Sequence, residues 1–155
     1  MSDIRVTYVD VYVLRGTGDA VEALVLRRSS AGRCPGAWES VHGGIEPGET
    51  PVTAALRELR EETGLVPGRL YNLSRVEAFY RHQQDFLALI PVFVALVPGG
   101  AEVRLSGEHD AFDWLPPPAA GARMAWPRER RALEDAVALL SGGDAGAVED
   151  VLRVC

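Results

Sequence analysis

The stretch from Gly43 to Leu65, GGIEPGETPVTAALRELREETGL, constrains this chain more than any other, because it sets a turn, a bracketed helix and a charge cluster in one run. Thr50 suits an N-cap, Pro51 suits the first helical position, where a missing N–H costs nothing, and Gly64 suits the left-handed residue just past the end. A helix of about three turns is expected between them. At about 100° per residue, Val52, Ala55, Leu56 and Leu59 fall on one side, and Glu58, Glu61 and Glu62 on another. The first set reads as a core face and the second as a carboxylate stripe.

Glu58, Glu61 and Glu62 stand at i, i+3 and i+4, where like charges cost roughly 0.2–0.5 kcal/mol per pair. They also lie towards the helix C-terminus, where the dipole disfavours negative charge. Something positive must hold them together. One reading is a solvated acidic face neutralised by Arg57 and Arg60, since Arg57 and Glu61 form an i, i+4 pair. The other is a hard-cation site: clustered carboxylate oxygens suit Mg²⁺ or Mn²⁺, and no nearby His or Cys favours zinc. Spacing alone leaves both open.

The whole pattern is more specific. Gly43, five residues, Glu49, seven residues, Arg57-Glu58, Leu59, any residue, Glu61-Glu62, any residue, Gly64 and Leu65 resembles the Nudix box of the Nudix hydrolases at every fixed position. That resemblance implies metal-dependent hydrolysis of a nucleoside diphosphate linked to another group, by attack of water on phosphorus. It implies Glu58, Glu61 and Glu62 as metal ligands, with Glu58 or Glu61 also a candidate base, Arg57 orienting a carboxylate, and Glu49 and Gly44 supporting from the loop. Gly43-Gly44 permits close backbone approach, so a carbonyl such as that of Gly43 joins the implied metal shell. In such enzymes a carboxylate from outside the box often completes the shell. Glu108, in the turn Ser106-Gly107-Glu108-His109, is the first candidate, ahead of Glu77.

Length and charge limit the alternatives. With 155 residues, 47% of them hydrophobic, the chain fits one domain, 1–155, with a real core. A formal charge of −6 argues against a nucleic-acid surface, which needs a basic stripe to displace phosphate counterions. The two cysteines, Cys34 and Cys155, form no metal or redox spacing, so a reducing cytoplasm is the expected compartment. The start MSDIRVTYVD lacks the regions of a signal peptide, and no apolar run is long enough to span a bilayer. No membrane partner is expected.

Ile4 to Leu14 alternates, with Val9, Val11 and Val13 opposite Tyr8, Asp10 and Tyr12, as a half-buried strand does. Val21 to Arg28 reads as the next strand, and Arg27 and Arg28 at its end are candidates to meet a phosphate. Ser29 to Ala37 is a loop, and Trp38 to Val41 a short strand in which Trp38 reads as packing and the following His42 as structural. Leu70 to Tyr80 and Phe86 to Val97 form two strands joined near Arg81, with Pro91 marking an edge or a bulge. Tyr80 and Arg81 are candidate substrate contacts. Ala111 to Leu115 is strand-like and stops at three prolines. Trp126-Pro127 opens a helix to about Leu140, buried through Leu133, Val137 and Leu140, and Asp144 to Val154 permits a shorter last one.

Strands, a helix, strands and helices in that order give a mixed sheet with helices on both faces. The resemblance makes this an α/β/α Nudix sandwich with the box as a loop-helix-loop. Two blocks, Trp38 to Leu65 and Glu108 to Val137, are similar to the dihydroneopterin triphosphate and dATP pyrophosphohydrolase branch. This implies a nucleoside or pterin polyphosphate substrate cleaved to the monophosphate and pyrophosphate. The alternative is an ADP-ribose, sugar-nucleotide or dinucleoside-polyphosphate hydrolase. A Nudix module that binds nucleotides without hydrolysing them is a third class, but such modules carry eroded boxes. Many relatives are homodimers, and the sequence holds no dimerisation signal of its own.

Overall fold

The chain is built on an eight-stranded mixed sheet, described here for all 155 residues from a computed structural model. Strands β1 (Asp3–Val6) and β2 (Tyr8–Arg15) run in series along the same edge of β7 (Phe86–Leu96), both parallel to it. The long β6 (Arg69–Arg81) pairs antiparallel with the other edge of β7. On its outer side β2 takes β3 (Glu22–Arg28) and β5 (Val41–Gly44), and β3 takes β4 (Trp38–Glu39) and β8 (His109–Leu115).

Helix α1 (Pro51–Thr63) covers one face, where Ala54, Ala55 and Leu59 meet Val9, Val11, Val13, Phe93 and Ala95. Helices α2 (Pro117–Arg123) and α3 (Pro127–Leu139) cover the other, where Ala120, Leu133 and Ala136 meet Tyr12, Leu14, Val92 and Val94. This is the α/β/α sandwich read from the sequence. Because both faces are covered, Asp10 and Tyr12 are as buried as the valines between them, and β2 is not half-buried as its alternation suggested.

The ends of α1 are as expected. The Thr50 hydroxyl accepts from the Thr53 N–H, Thr53 returns the bond to the Thr50 N–H, and Gly64 takes a left-handed φ of 72°. Its buried face differs. Glu58 and Glu62 turn inward beside Leu59, while Val52 and Leu56 are half-buried, so of the three carboxylates only Glu61 remains solvated.

Pro91 marks a bulge and not an edge. Strand β7 leaves β1 after Leu89 and meets β2 at Val92, and opposite Pro91 the register of β6 shifts between Asn72 and Val76. A residue without an N–H fits where ladder partners change. The three prolines after Leu115 do not merely stop a strand, for Pro117 begins α2 at its first position. The last helix is shorter than expected, a single turn, α4 (Glu149–Leu152), after a 3₁₀ turn.

Candidate functional site

Arg57 is the hub of the Gly43–Leu65 segment. Its Nε and Nη2 donate to the two oxygens of Glu49 at 2.6 and 2.9 Å, Nη2 also donates to the Gly44 carbonyl at 2.7 Å, and Nη1 donates to Glu58 at 2.6 Å and Glu61 at 3.2 Å. One planar cation thus ties the loop to the helix and offsets two of the three clustered charges. Hydrogen bonds from Arg57, with the Glu46 N–H, hold the Glu49 carboxyl down to about 2.

Glu62 is different. It is 2% exposed, and neither carboxylate oxygen has a hydrogen-bond partner. Burial first, then the charges of Glu58, Glu108 and Glu39, push its carboxyl up to about 10. Glu58 is raised too, chiefly by burial, against the pull of Arg57. A buried acid with two orphaned oxygens, surrounded by other acids, is a strong demand for positive charge.

Glu58, Glu61 and Glu62 line one cleft of about 470 Å³ with Arg28, Gly107 and Glu108. Glu108 comes to it from the turn before β8, far from the box in sequence, while Glu77 pairs with Arg75 elsewhere. Gly43 leaves the space that the Glu58 carboxylate occupies, because its bare Cα faces Glu58 where any side chain would collide. No three Asp, Glu, His or Cys side chains converge on one point in this arrangement, since Glu58 and Glu61 lean onto Arg57. The donor set is nonetheless all oxygen, and it fits a hard divalent cation.

A second cleft of about 370 Å³ adjoins the first, and Arg28 lines both. Its walls include Tyr8, His42, Phe79, Arg81, Trp126 and Arg128. Tyr8 and His42 stack at 5.2 Å, and Arg81 donates to the Tyr8 hydroxyl and lies over its ring. Beneath lie two buried ion clusters. Asp10 receives Arg128 through two bonds of 3.0 and 3.2 Å and His42 Nδ1 at 2.7 Å; burial alone would raise its carboxyl, but these partners outweigh it and hold it low. Glu39 likewise is desolvated yet held low by His109 at 3.0 Å, Arg28 at 2.9 Å and Trp126 Nε1 at 3.2 Å. The Glu39 cluster fixes Arg28 at the junction of the two clefts.

The sequence candidates therefore divide. Arg28, Gly43, Gly44, Glu49, Arg57, Glu58, Glu61, Glu62 and Glu108 come together, and Arg81 lines the adjoining cleft. Arg27 lines neither cleft and pairs with Asp110 beside Trp38. Tyr80 lines neither, because alternation along β6 turns Phe79 and Arg81 to the cleft and Tyr80 to the opposite face. The sequence reading missed Glu39, Trp126 and Arg128 as cleft residues. The run Trp126-Pro127-Arg128 at a helix start was visible, but not the fold that brings Arg128 to Asp10. A roomier hollow of about 710 Å³, between Gly16 and Gly143, contains none of the carboxylates.

The NUDIX domain family model matches residues 5–136. An octanoyltransferase of Myxococcus xanthus is 35% identical over 137 residues, covering 84% of this chain and 36% of that protein. The asymmetrical bis(5′-nucleosyl)-tetraphosphatase of Mus musculus is 36% identical over 80 residues, 50% of this chain and 54% of that one. The chain thus spans about a third and about half the length of these two relatives. The structure of the E. coli dihydroneopterin triphosphate pyrophosphohydrolase aligns with a TM-score of 0.65 at 28% identity, over 81% of this chain and 92% of that one. With the box intact, its carboxylates gathered at one cleft and the family model covering most of the sequence, the chain belongs to the Nudix domain family.

Proposed function

We propose that residues 1–155 form one Nudix hydrolase domain that cleaves the phosphoanhydride of a nucleoside or pterin triphosphate, giving the monophosphate and pyrophosphate. The observation that carries this reading is the place of Arg28 on the shared wall of an aromatic, arginine-lined cleft and a carboxylate cleft. A base or pterin bound among Tyr8, Phe79 and Trp126 would send its phosphates past Arg28 and Arg81 towards Glu58, Glu61, Glu62 and Glu108. That aromatic cleft, of about 370 Å³, has room for such a ring.

Glu58, Glu61, Glu62 and Glu108 would hold Mg²⁺ or Mn²⁺, with the Gly43 carbonyl near them; Glu62, buried and unpartnered, is the strongest reason to expect a cation. When bound, the ion would neutralise the phosphate oxygens and acidify the attacking water. Arg57 keeps Glu58 and Glu61 aligned and keeps Glu49 against the helix. Glu58 or Glu61 would take the proton from the water. Glu39 keeps Arg28 extended towards the substrate.

A second reading, asymmetrical cleavage of a dinucleoside polyphosphate, is favoured by the likeness to the mouse tetraphosphatase. The test for both is product analysis by phosphorus NMR on dATP, ATP, dihydroneopterin triphosphate, ADP-ribose and diadenosine tetraphosphate, with Mg²⁺ or Mn²⁺ and with chelator. Pyrophosphate from triphosphates supports the first reading. Turnover confined to the dinucleotide moves the chain to the second, and no metal-dependent turnover of any substrate would favour a binding module. Glu62→Gln should abolish activity by a factor of at least about 10² while leaving the fold intact.

A further inference from the structure

The two ring nitrogens of His42 have different surroundings. His42 on β5 pairs with Asp10 on β2, and Tyr8 lies two residues before Asp10, so the register turns all three side chains to one side of the sheet. Nδ1 stands 2.7 Å from the Asp10 carboxylate, which is 0% exposed and also receives two bonds from Arg128. A carboxylate in that position only accepts, so the proton sits on Nδ1. One face of the ring stacks on Tyr8 at 5.2 Å and 28°, and Tyr8 is in turn held by Arg81. Nε2 is left across the ring from Asp10, without a hydrogen-bond partner, on a side chain that is 27% exposed and lines the aromatic cleft.

The rest of this cleft is rich in donors and poor in acceptors. Arg28, Arg33, Arg81 and Arg128 all line it. Its buried carboxylates are already occupied, Asp10 by Arg128 and His42, and Glu39 by Arg28, His109 and Trp126. The Tyr8 hydroxyl accepts from Arg81, and His82 and Gln83 reach the cleft only from the exposed turn between β6 and β7. Among the buried and half-buried side chains of the cleft, His42 Nε2 is the acceptor still without a donor.

We infer that His42 Nε2 reads the ring of the substrate by accepting a hydrogen bond from an amino group on its edge, and that Asp10 is the positioning residue that keeps this acceptor turned to the cleft. The ligand class is an amino-substituted purine or pterin. This rests on the reading of the aromatic cleft as the seat of the ring. The arginines suit phosphate oxygens but cannot recognise an amino group, because a guanidinium has no acceptor. A ring that lacks the amino group would cover Nε2 and leave it unpaired, which is how a polar site discriminates. His42 also directly precedes Gly43, whose bare Cα faces Glu58, so one short strand carries both the ring contact and a wall of the carboxylate cleft.

The test is ligand binding by the full chain, followed by protein NMR titration with chelator present at about pH 8, above the ordinary range of a histidine. The ligands are the deoxyribonucleoside monophosphates of adenine, 2-aminopurine and unsubstituted purine, which differ only in the amino group. The better amino ligand is expected to bind about fivefold more tightly than the unsubstituted one. His42→Phe keeps a ring against Tyr8 and removes the acceptor, so the preference should shrink to less than about twofold. His42→Met removes the acceptor without a ring and repeats the test should phenylalanine fail to fold. His42→Gln offers an N–H to Asp10 and an oxygen to the ligand, and should restore the preference. A His42 that only supported the fold would weaken all three ligands alike when replaced. Equal binding or no binding of the three by wild type, or a preference that survives loss of the acceptor in folded protein, would overturn the proposal. Since no turnover is involved, a chain that shows the preference yet hydrolyses nothing would overturn the hydrolase reading alone.

Discussion

A methyl group on Gly43 would lie 2.0 Å from the carboxyl carbon of Glu58 and 2.3 Å from each of its oxygens. Gly43 sits in β5 opposite Val9 with no left-handed φ, so its glycine serves space and not backbone freedom. The strand can accept alanine, but the carboxylate cannot keep its place. Gly43→Ala is therefore expected to retain the cooperative unfolding of the wild type while turnover falls about 10- to 100-fold, as for other disturbed metal surroundings. Unchanged kcat/KM in a folded variant would show that Glu58 has no role where it stands.

Arg57 offers a sharper contrast, because charge and shape can be separated. Lysine keeps the charge but cannot reach Glu49, Glu58 and the Gly44 carbonyl at once. Arg57→Lys should lose at least about tenfold in turnover, and Glu49→Ala in the Arg57→Lys background should add much less than it costs alone, since both disrupt one unit. Additive losses would mean that the two act separately. Thermal stability should fall as well, because the Arg57 side chain is only 20% exposed and joins the loop to the helix.

Much of this was legible because it depends on local sequence. Thr50, Pro51 and Gly64 fix the ends of α1 whatever surrounds it, and Arg57 reaches Glu61 by helical spacing alone. The depth of Glu58 and Glu62 was not legible, since periodicity finds a face without saying how the helix rolls onto the sheet. Nor was the aromatic cleft. Arg128 meets Asp10 across 118 positions of sequence, and Trp126 meets Glu39 across 87, so only the closed sandwich creates those pairs. Tyr80 and Arg81 were read together as neighbours, and a strand sends neighbours to opposite faces.

Glu39 separates binding from chemistry. Its carboxylate accepts from Arg28, His109 and Trp126 together, and glutamine has a single acceptor oxygen and adds an N–H where donors already crowd. With Arg28 loosened at the junction of the clefts and the box untouched, Glu39→Gln should raise KM about tenfold and leave kcat within about twofold. A fall in kcat at constant KM would instead place Glu39 with the reacting groups.

Glu129 gives the fold a pH dependence of its own. It is fully buried at the start of α3, with one oxygen accepting from the Ser40 N–H at 2.8 Å and the other without a partner. Burial first, then the charge of Asp10, holds its carboxyl well above the ordinary 4.5. The folded chain thus keeps a proton that the unfolded chain releases, so the stability this group contributes is complete below about 4.5 and is lost as pH rises towards the folded value. Glutamine mimics the protonated form at every pH, and its oxygen can still receive Ser40. The melting temperature of Glu129→Gln should match wild type near about pH 4 and exceed it by a few degrees near about pH 8. Any contribution from Glu62 is common to both proteins and cancels in the difference. A gap that does not widen with pH would mean that Glu129 is ionised in the fold, and that its second oxygen has found a donor.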